Sequence, residues 1–128
     1  MKNEQRYPLL LIDRVEEVAA EKVRAIKNVS LNEKVFVGHF PRQPIYPAVY
    51  IVEGLCQCAQ ILLGAGVAVT AKLEDFKFLQ RVVPGDRLHY EVEREARMGK
   101  FLIVKARATV DGATVSTGRI VGASMEGA

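Results

Sequence analysis

Apolar residues crowd one stretch of the chain, Ile45 to Ala71, and alternate with polar ones through most of the C-terminal half. The crowded stretch predicts a buried helix and the alternation predicts strands. The helix is expected over Ala48–Gly64, because Pro47 stands just before its first turn and Gly64 and Gly66 can end it. Strands are expected at Val67–Phe78, Arg87–Arg97, Phe101–Val110 and Thr114–Ser124. In Arg87–Arg97 the register is explicit: Leu88, Tyr90 and Val92 face one way, His89, Glu91 and Glu93 the other. Turn signals separate these strands at Val82-Val83-Pro84-Gly85-Asp86, at Met98-Gly99-Lys100 and at Asp111-Gly112.

Upstream of the helix the pattern is weaker. Tyr7–Arg14 reads as a short amphipathic helix or turn led by Pro8. Val15–Ser30 has strand character with a polar break at Ala20-Glu21-Lys22, and Leu31–Phe36 reads as a short helical turn. Gly38–Pro47 holds three prolines and is expected to be a loop of defined path. One long helix followed by strands on tight turns points to an α+β chain, an antiparallel sheet with the helix on one face. Residues 1–128 are expected to form one domain. A helix so apolar on all sides needs more cover than one small sheet provides, so a dimer is expected.

The run Ile45–Ala71 exceeds the roughly 18 residues of a membrane span. Pro47, Glu53, Gly54, Gln57, Gln60, Gly64 and Gly66 interrupt it, and charge or amide groups at mid-depth are costly in lipid. The Leu9–Ile12 stretch is too short for the core of a signal peptide, and a cytoplasmic location is expected. Cys56 and Cys58 lie two apart on the helix, so they face different ways and cannot pair with each other; buried reduced thiols are expected. The net charge of +3 fits an acidic protein partner or an anionic substrate. Its cations are mixed with Asp and Glu, there is no Trp, and nucleic acid is not expected as a partner.

The chemistry concentrates in two places. Gly38-His39-Phe40-Pro41 puts a histidine on a glycine- and proline-flanked loop, and Glu53 comes fourteen positions later. Glu53 is the one charged residue between Ile45 and Ala71, and a carboxylate rarely enters such a run without a partner or a task. Imidazole is a base that works near neutral pH, and an apolar surround favours the uncharged, proton-donating carboxyl group. His39 and Glu53 are therefore a candidate base and acid.

These residues also carry a family resemblance. Arg6-Tyr7-Pro8-Leu9-Leu10-Leu11-Ile12-Asp13-Arg14-Val15, Ala25-Ile26-Lys27-Asn28-Val29, Gly38-His39-Phe40-Pro41 and Pro47 through Glu53 to Gln57 resemble the 3-hydroxyacyl-acyl-carrier-protein dehydratases of the FabZ type. Phe78 with Val82-Val83-Pro84-Gly85-Asp86 is similar to that family's strand and turn. The resemblance implies a hot-dog fold, an antiparallel sheet wrapped around a long central helix. It also implies a homodimer whose two sites each take the histidine from one subunit and the carboxylate from the other, and dimers that in some members build a trimer of dimers. The implied reaction is dehydration of a (3R)-3-hydroxyacyl chain, carried on the phosphopantetheine of an acyl carrier protein, to a trans-2-enoyl thioester. The setting is fatty acid or related polyketide-like biosynthesis, and no metal or other cofactor is implied. His39 would take the C2 proton and Glu53 would protonate the leaving hydroxyl. A backbone N–H at Ala48 would steady the thioester oxygen, and Gln57 would hold the carboxyl group. Phe40, Tyr46 and Phe78 are candidates for the apolar tunnel.

Three positions depart from the family pattern. Arg42 and Ala48 stand where glycines are usual, and Tyr46 where methionine is. Alanine keeps the N–H, but obstructs if positive φ or a close thioester approach is required there. These departures point to a diverged member, one suited to a specialised acyl pathway. They also keep two other readings in play: a non-catalytic subunit that binds an acyl carrier, and a thioesterase on the same fold. The basic residues Lys77, Arg81, Arg87, Arg97 and Lys100 are expected to be solvated, with a subset meeting an acidic carrier protein. Phe76 and Phe78 are expected in the core unless one borders the tunnel. His89 is expected to face solvent.

Overall fold

The computed structural model of the chain describes residues 10–64 and 67–124. The first three residues of the expected opening helix or turn at Tyr7–Arg14 lie outside them; residues 10–13 form no helix and run irregularly to a bend at Asp13. The strands are β1 (Arg14–Val18), β2 (Lys22–Asn28), β3 (Val67–Phe78), β4 (Arg87–Met98), β5 (Phe101–Val110) and β6 (Ala113–Ser124), and the helix α1 spans Ala48–Leu63. All six strands form one antiparallel sheet in the order β1-β2-β4-β5-β6-β3. The polar break at Ala20-Glu21-Lys22 divides the upstream strand region into the β1–β2 hairpin. The expected helical turn is a single 3-10 turn, displaced to Lys34–Val37.

Period two sets the faces. Leu88, Tyr90 and Val92 of β4 turn inward with Leu102, Val104, Ala106 and Ala108 of β5, while His89 is exposed. On β2 the inward positions are Val23, Ala25 and Lys27. Lys27 is only 7% exposed, and its ammonium sits 2.8 Å from Glu33 Oε1. A cation on an inner face is tolerable because that carboxylate partners it. The β5–β6 hairpin closes on Asp111 and Gly112, both at positive φ, as a tight turn matched to the twist of its strands requires.

Helix α1 packs against the inner face, chiefly on β4 and β2. Ile51, Leu55, Cys58, Ala59 and Leu62 are its buried stripe. Gly54 is needed where it stands: a Cβ there would lie 2.5 Å from the Tyr90 hydroxyl, so the missing side chain lets β4 approach the helix. The opposite side of α1 is less covered than a helix wrapped all round, with Val49 70% exposed and Val52, Glu53 and Cys56 half-buried. One sheet covers one side of a helix, and among the described residues no other strand or helix covers the opposite side.

Strand β3 is a sheet edge, paired on one side with β6. Its register shifts near Asp75, a residue at positive φ whose carboxylate meets Arg119 at 3.1 Å. Past this bulge Phe76 lies over Gly118, which has no side chain to oppose it. Phe78 stacks on Phe76 but is 49% exposed, so it is not a core residue of the chain. Among the described residues, no strand pairs with the outer side of β3 to cover it.

Candidate active site

The loop between the 3-10 turn and α1 presents His39. The Gly38 and His39 N–H groups both donate to the Val35 carbonyl, and the Ile45 N–H donates back to the His39 carbonyl at 3.0 Å. Phe40 and Gln43 exchange N–H and carbonyl bonds and close the turn between them. The loop is tied to the rest of the chain at both ends. Glu33, held by Lys27, also accepts from the Ser30 N–H, and the Tyr46 N–H donates to the Val82 carbonyl at 2.7 Å. The three prolines of this segment each fix φ and remove one N–H, which keeps it out of helix and sheet.

His39 Nδ1 lies 2.8 Å from the Ile45 carbonyl oxygen. A carbonyl only accepts, so Nδ1 carries the proton of the neutral ring and Nε2 is left with its lone pair. The His39–Phe40 peptide bond is cis, and the Phe40 ring stacks on the imidazole at 4.2 Å between centroids. Phe40 is itself 48% exposed. The result is a half-buried imidazole with one nitrogen fixed and the other available as a base.

Glu53 lies one and a half turns into α1, and Gln57 one turn further on the same face. Gln57 Nε2 donates to Glu53 Oε1 at 3.2 Å, as expected for the i, i+4 pair. Gln57 is 3% exposed, and its Oε1 accepts the Leu11 N–H at 2.9 Å. The Leu11 bond connects residues 46 positions apart, and nothing in the sequence pattern signals it.

Ala48 opens α1, is exposed, and does not have positive φ. One of the two objections to alanine at this position is thereby removed, and what remains is the bulk of a methyl group. Tyr46 turns away from open surface. It is 2% exposed and packs on Phe36 and Tyr50. Burial holds its phenol well above the ordinary tyrosine range and so keeps it neutral. Its hydroxyl approaches that of Tyr90 without a well-formed hydrogen bond. Arg42 is exposed on the same loop as His39.

The two cysteines are free. Burial pushes the Cys56 thiol up to about 11 and Cys58 higher still, so neither is a thiolate nucleophile at neutral pH. Among the described residues no helix is long and apolar enough to cross a membrane.

Fold and site together define a hot-dog protein that carries a histidine on the loop before its helix and a glutamate inside the helix. The family model for the FabA-like domain matches residues 3–119. A 3-hydroxyacyl-[acyl-carrier-protein] dehydratase FabZ from Streptococcus mutans is 42% identical over 121 residues, 90% of this chain and 86% of the relative. Among solved structures, the dehydratase heterocomplex ApeI:P from Xenorhabdus doucetiae superposes with a TM-score of 0.74 at 25% identity, covering 88% of this chain and 96% of that one. An uncharacterised protein from Pyrococcus horikoshii has a TM-score of 0.79 at 15% identity, covering 94% and 88%, and shows the shared fold alone. The chain belongs to the FabA-like family, among its FabZ-type 3-hydroxyacyl-[acyl-carrier-protein] dehydratases. That membership favours the dehydratase over the accessory subunit and the thioesterase.

Proposed function

We propose that this protein dehydrates (3R)-3-hydroxyacyl-acyl-carrier-protein thioesters to trans-2-enoyl thioesters in fatty acid biosynthesis, with His39 as base and Glu53 as acid. The observation that carries the reading is the 42% identity with a FabZ dehydratase across nearly the whole chain, joined to a histidine whose free nitrogen is Nε2. In the reaction Nε2 takes the C2 proton, which the thioester makes acidic. The electron pair forms the C2–C3 double bond as the C3–O bond breaks. Glu53 gives its proton to the departing hydroxyl, which leaves as water, and a proton passed from His39 back to Glu53 resets the site. Charge that builds on the thioester oxygen meets N–H groups at the start of α1, Ala48 first among them.

The substrate arrives on the phosphopantetheine arm of an acyl carrier protein, and the step uses no metal or other cofactor. Exposed Arg42, beside the base, is placed to meet an acidic carrier. Phe40, Tyr46 and Phe78 border or back the acyl tunnel; Tyr46 does so from within the core. The protein works as a single-domain cytoplasmic homodimer in which each site combines His39 of one subunit with Glu53 of the other. The open edge of β3, the exposed Leu73 and Phe78 on it, and the uncovered side of α1 support that pairing. Solution molar mass decides between the dimer and a trimer of dimers.

The test is turnover of a short 3-hydroxyacyl-carrier substrate followed by mass spectrometry. Wild type is expected to remove one water. His39→Ala and Glu53→Gln are each expected to lose at least about a thousandfold in kcat while keeping the fold. A fully active His39→Ala protein would sink the assignment.

A further inference from the structure

We infer that the backbone N–H of Leu11 is a positioning element of the dehydration chemistry, acting through Gln57 to set which oxygen of Glu53 carries the proton. The inference rests on the role proposed above for Glu53.

The starting point is the chemistry of the carboxamide. A Gln side chain has one accepting end and one donating end, and they exchange places when the group rotates by half a turn. Here the choice is forced. The Leu11 N–H can only donate, and it lies 2.9 Å from the Gln57 carboxamide, so the oxygen must face it. The NH2 group then faces Glu53 and donates to Oε1 at 3.2 Å. Rotation would set NH2 against N–H. Gln57 is 3% exposed, so water is poorly placed to relieve that clash of donors.

The consequence passes to Glu53. In a protonated carboxyl group the carbonyl oxygen is the better acceptor, and the hydroxyl oxygen the poorer one. An NH2 donor on Oε1 therefore favours Oε1 as the carbonyl and leaves the proton on Oε2. An acid must hold its proton on the oxygen that reaches the leaving group, and geometry of this kind is what positioned catalysis depends on. With the carboxamide reversed, Gln57 would offer its carbonyl to Glu53 and draw the proton to Oε1 instead.

Leu11 can impose this because it is itself fixed. Leu11 and Ile12 are buried, the Asp13 N–H donates to the Ile26 carbonyl at 2.9 Å, and Asp13 Oδ2 accepts the Asn28 N–H at 2.6 Å. The segment before β1 is thus pinned to β2 on one side and holds a helix side chain on the other. Its contribution to the site is one N–H in one direction.

The experiment replaces the Leu11 amide by an ester, using the α-hydroxy analogue of leucine, which removes the N–H and keeps the side chain. The ester protein is expected to lose about tenfold in kcat with KM changed less than about twofold. Gln57→Leu is expected to lose at least as much. The two changes together are expected to be no worse than Gln57→Leu alone, because the N–H then has nothing to act through. Wild-type kcat in the ester protein, a change confined to KM, or losses that multiply in the combined protein would each overturn the inference. Glu53→Gln is measured alongside. If it is inactive while the ester protein is fully active, only this inference falls; if it is active, the proposed function falls as well.

Discussion

The two ends of α1 are finished in opposite ways. At the C-terminal end the chain supplies partners for two of the last four carbonyls. The Gly64 N–H closes on the Gln60 carbonyl, and Arg94 of β4 donates from Nη2 to the Leu62 carbonyl at 3.0 Å and from Nε to the Ala20 carbonyl at 2.9 Å. The helix has no basic residue in its own last turn, and Arg94 brings the positive charge that this end favours. At the N-terminal end the chain supplies little. Pro47 caps without a side-chain bond, and the first turn holds no acidic residue. Tyr50 and Ile51 N–H groups turn back to the Pro47 carbonyl, but among the described residues those of Ala48 and Val49 meet no acceptor. No described residue meets the partial positive charge of the helix at this end, on the side where the His39 loop arrives. One end is closed by the chain itself, and the other keeps open the donors that the proposed reaction uses.

The strongest way to break this contrast is Ala48→Pro. Ala48 is the first helical position, where proline is well tolerated because its missing N–H has no partner in the helix. Pro47 already has φ −61° and ψ 136°, a conformation that suits the residue before a proline. The substitution therefore removes one donor and leaves the helix start intact. If that N–H stabilises the thioester oxygen, kcat is expected to fall about a hundredfold to a thousandfold with the melting temperature nearly unchanged. Steady-state kinetics beside thermal melting reads both. A melting temperature that falls together with kcat would mean that this end is structural too.

Arg94→Ala addresses the other end and is expected to do the reverse. It removes charged donors from the Leu62 and Ala20 carbonyls at a cost of about 1–2 kcal/mol. For a chain of this size that lowers the melting temperature by about 4–7 °C. Turnover at low temperature is expected to stay near wild type, since Arg94 caps the end of α1 remote from Ala48. Arg94→Lys is expected to fall between, because an ammonium keeps the charge but cannot span two carbonyls as a guanidinium does.

The sequence made the open end more legible than the closed one. Period two located β3, β4, β5 and β6 within a residue or two at each end, and Pro47 with Gly64 bounded α1, because these signals are local. The His39 loop and the Glu53–Gln57 pair were visible for the same reason, a motif and an i, i+4 spacing. What was hidden depends on partners far away in the chain. Arg94 reaches Leu62 across 32 positions, and Leu11 reaches Gln57 across 46. The pairing of β3 with β6 at the sheet edge has no local code either, and it decides that Phe78 is exposed. Tyr46, expected to line the tunnel, was ambiguous by nature. A large amphipathic ring beside a site serves as wall or core, and Phe36 and Tyr50 take it into the core.

The middle of α1 supplies the smallest and sharpest test of the contrast. If chemistry is confined to the N-terminal end, the thiols of Cys56 and Cys58 must be inert near neutral pH. Burial raises Cys56 from 9.0 to about 11, with the nearby Glu53 charge adding to the shift and Thr70 opposing it. The neutral thiol is the form the fold favours. Its contribution to stability is therefore complete below pH 9 and is lost as pH rises through about 11. Two results are expected. Alkylation of the native protein stays slow at about pH 8 and accelerates only toward pH 11, unlike that of the unfolded chain. The melting temperature falls between pH 9 and pH 11 by less in Cys56→Ala than in wild type. Rapid labelling of Cys56 at about pH 8 would instead reveal a second reactive position halfway along the helix, and the division of α1 into a reactive end and a structural remainder would no longer hold.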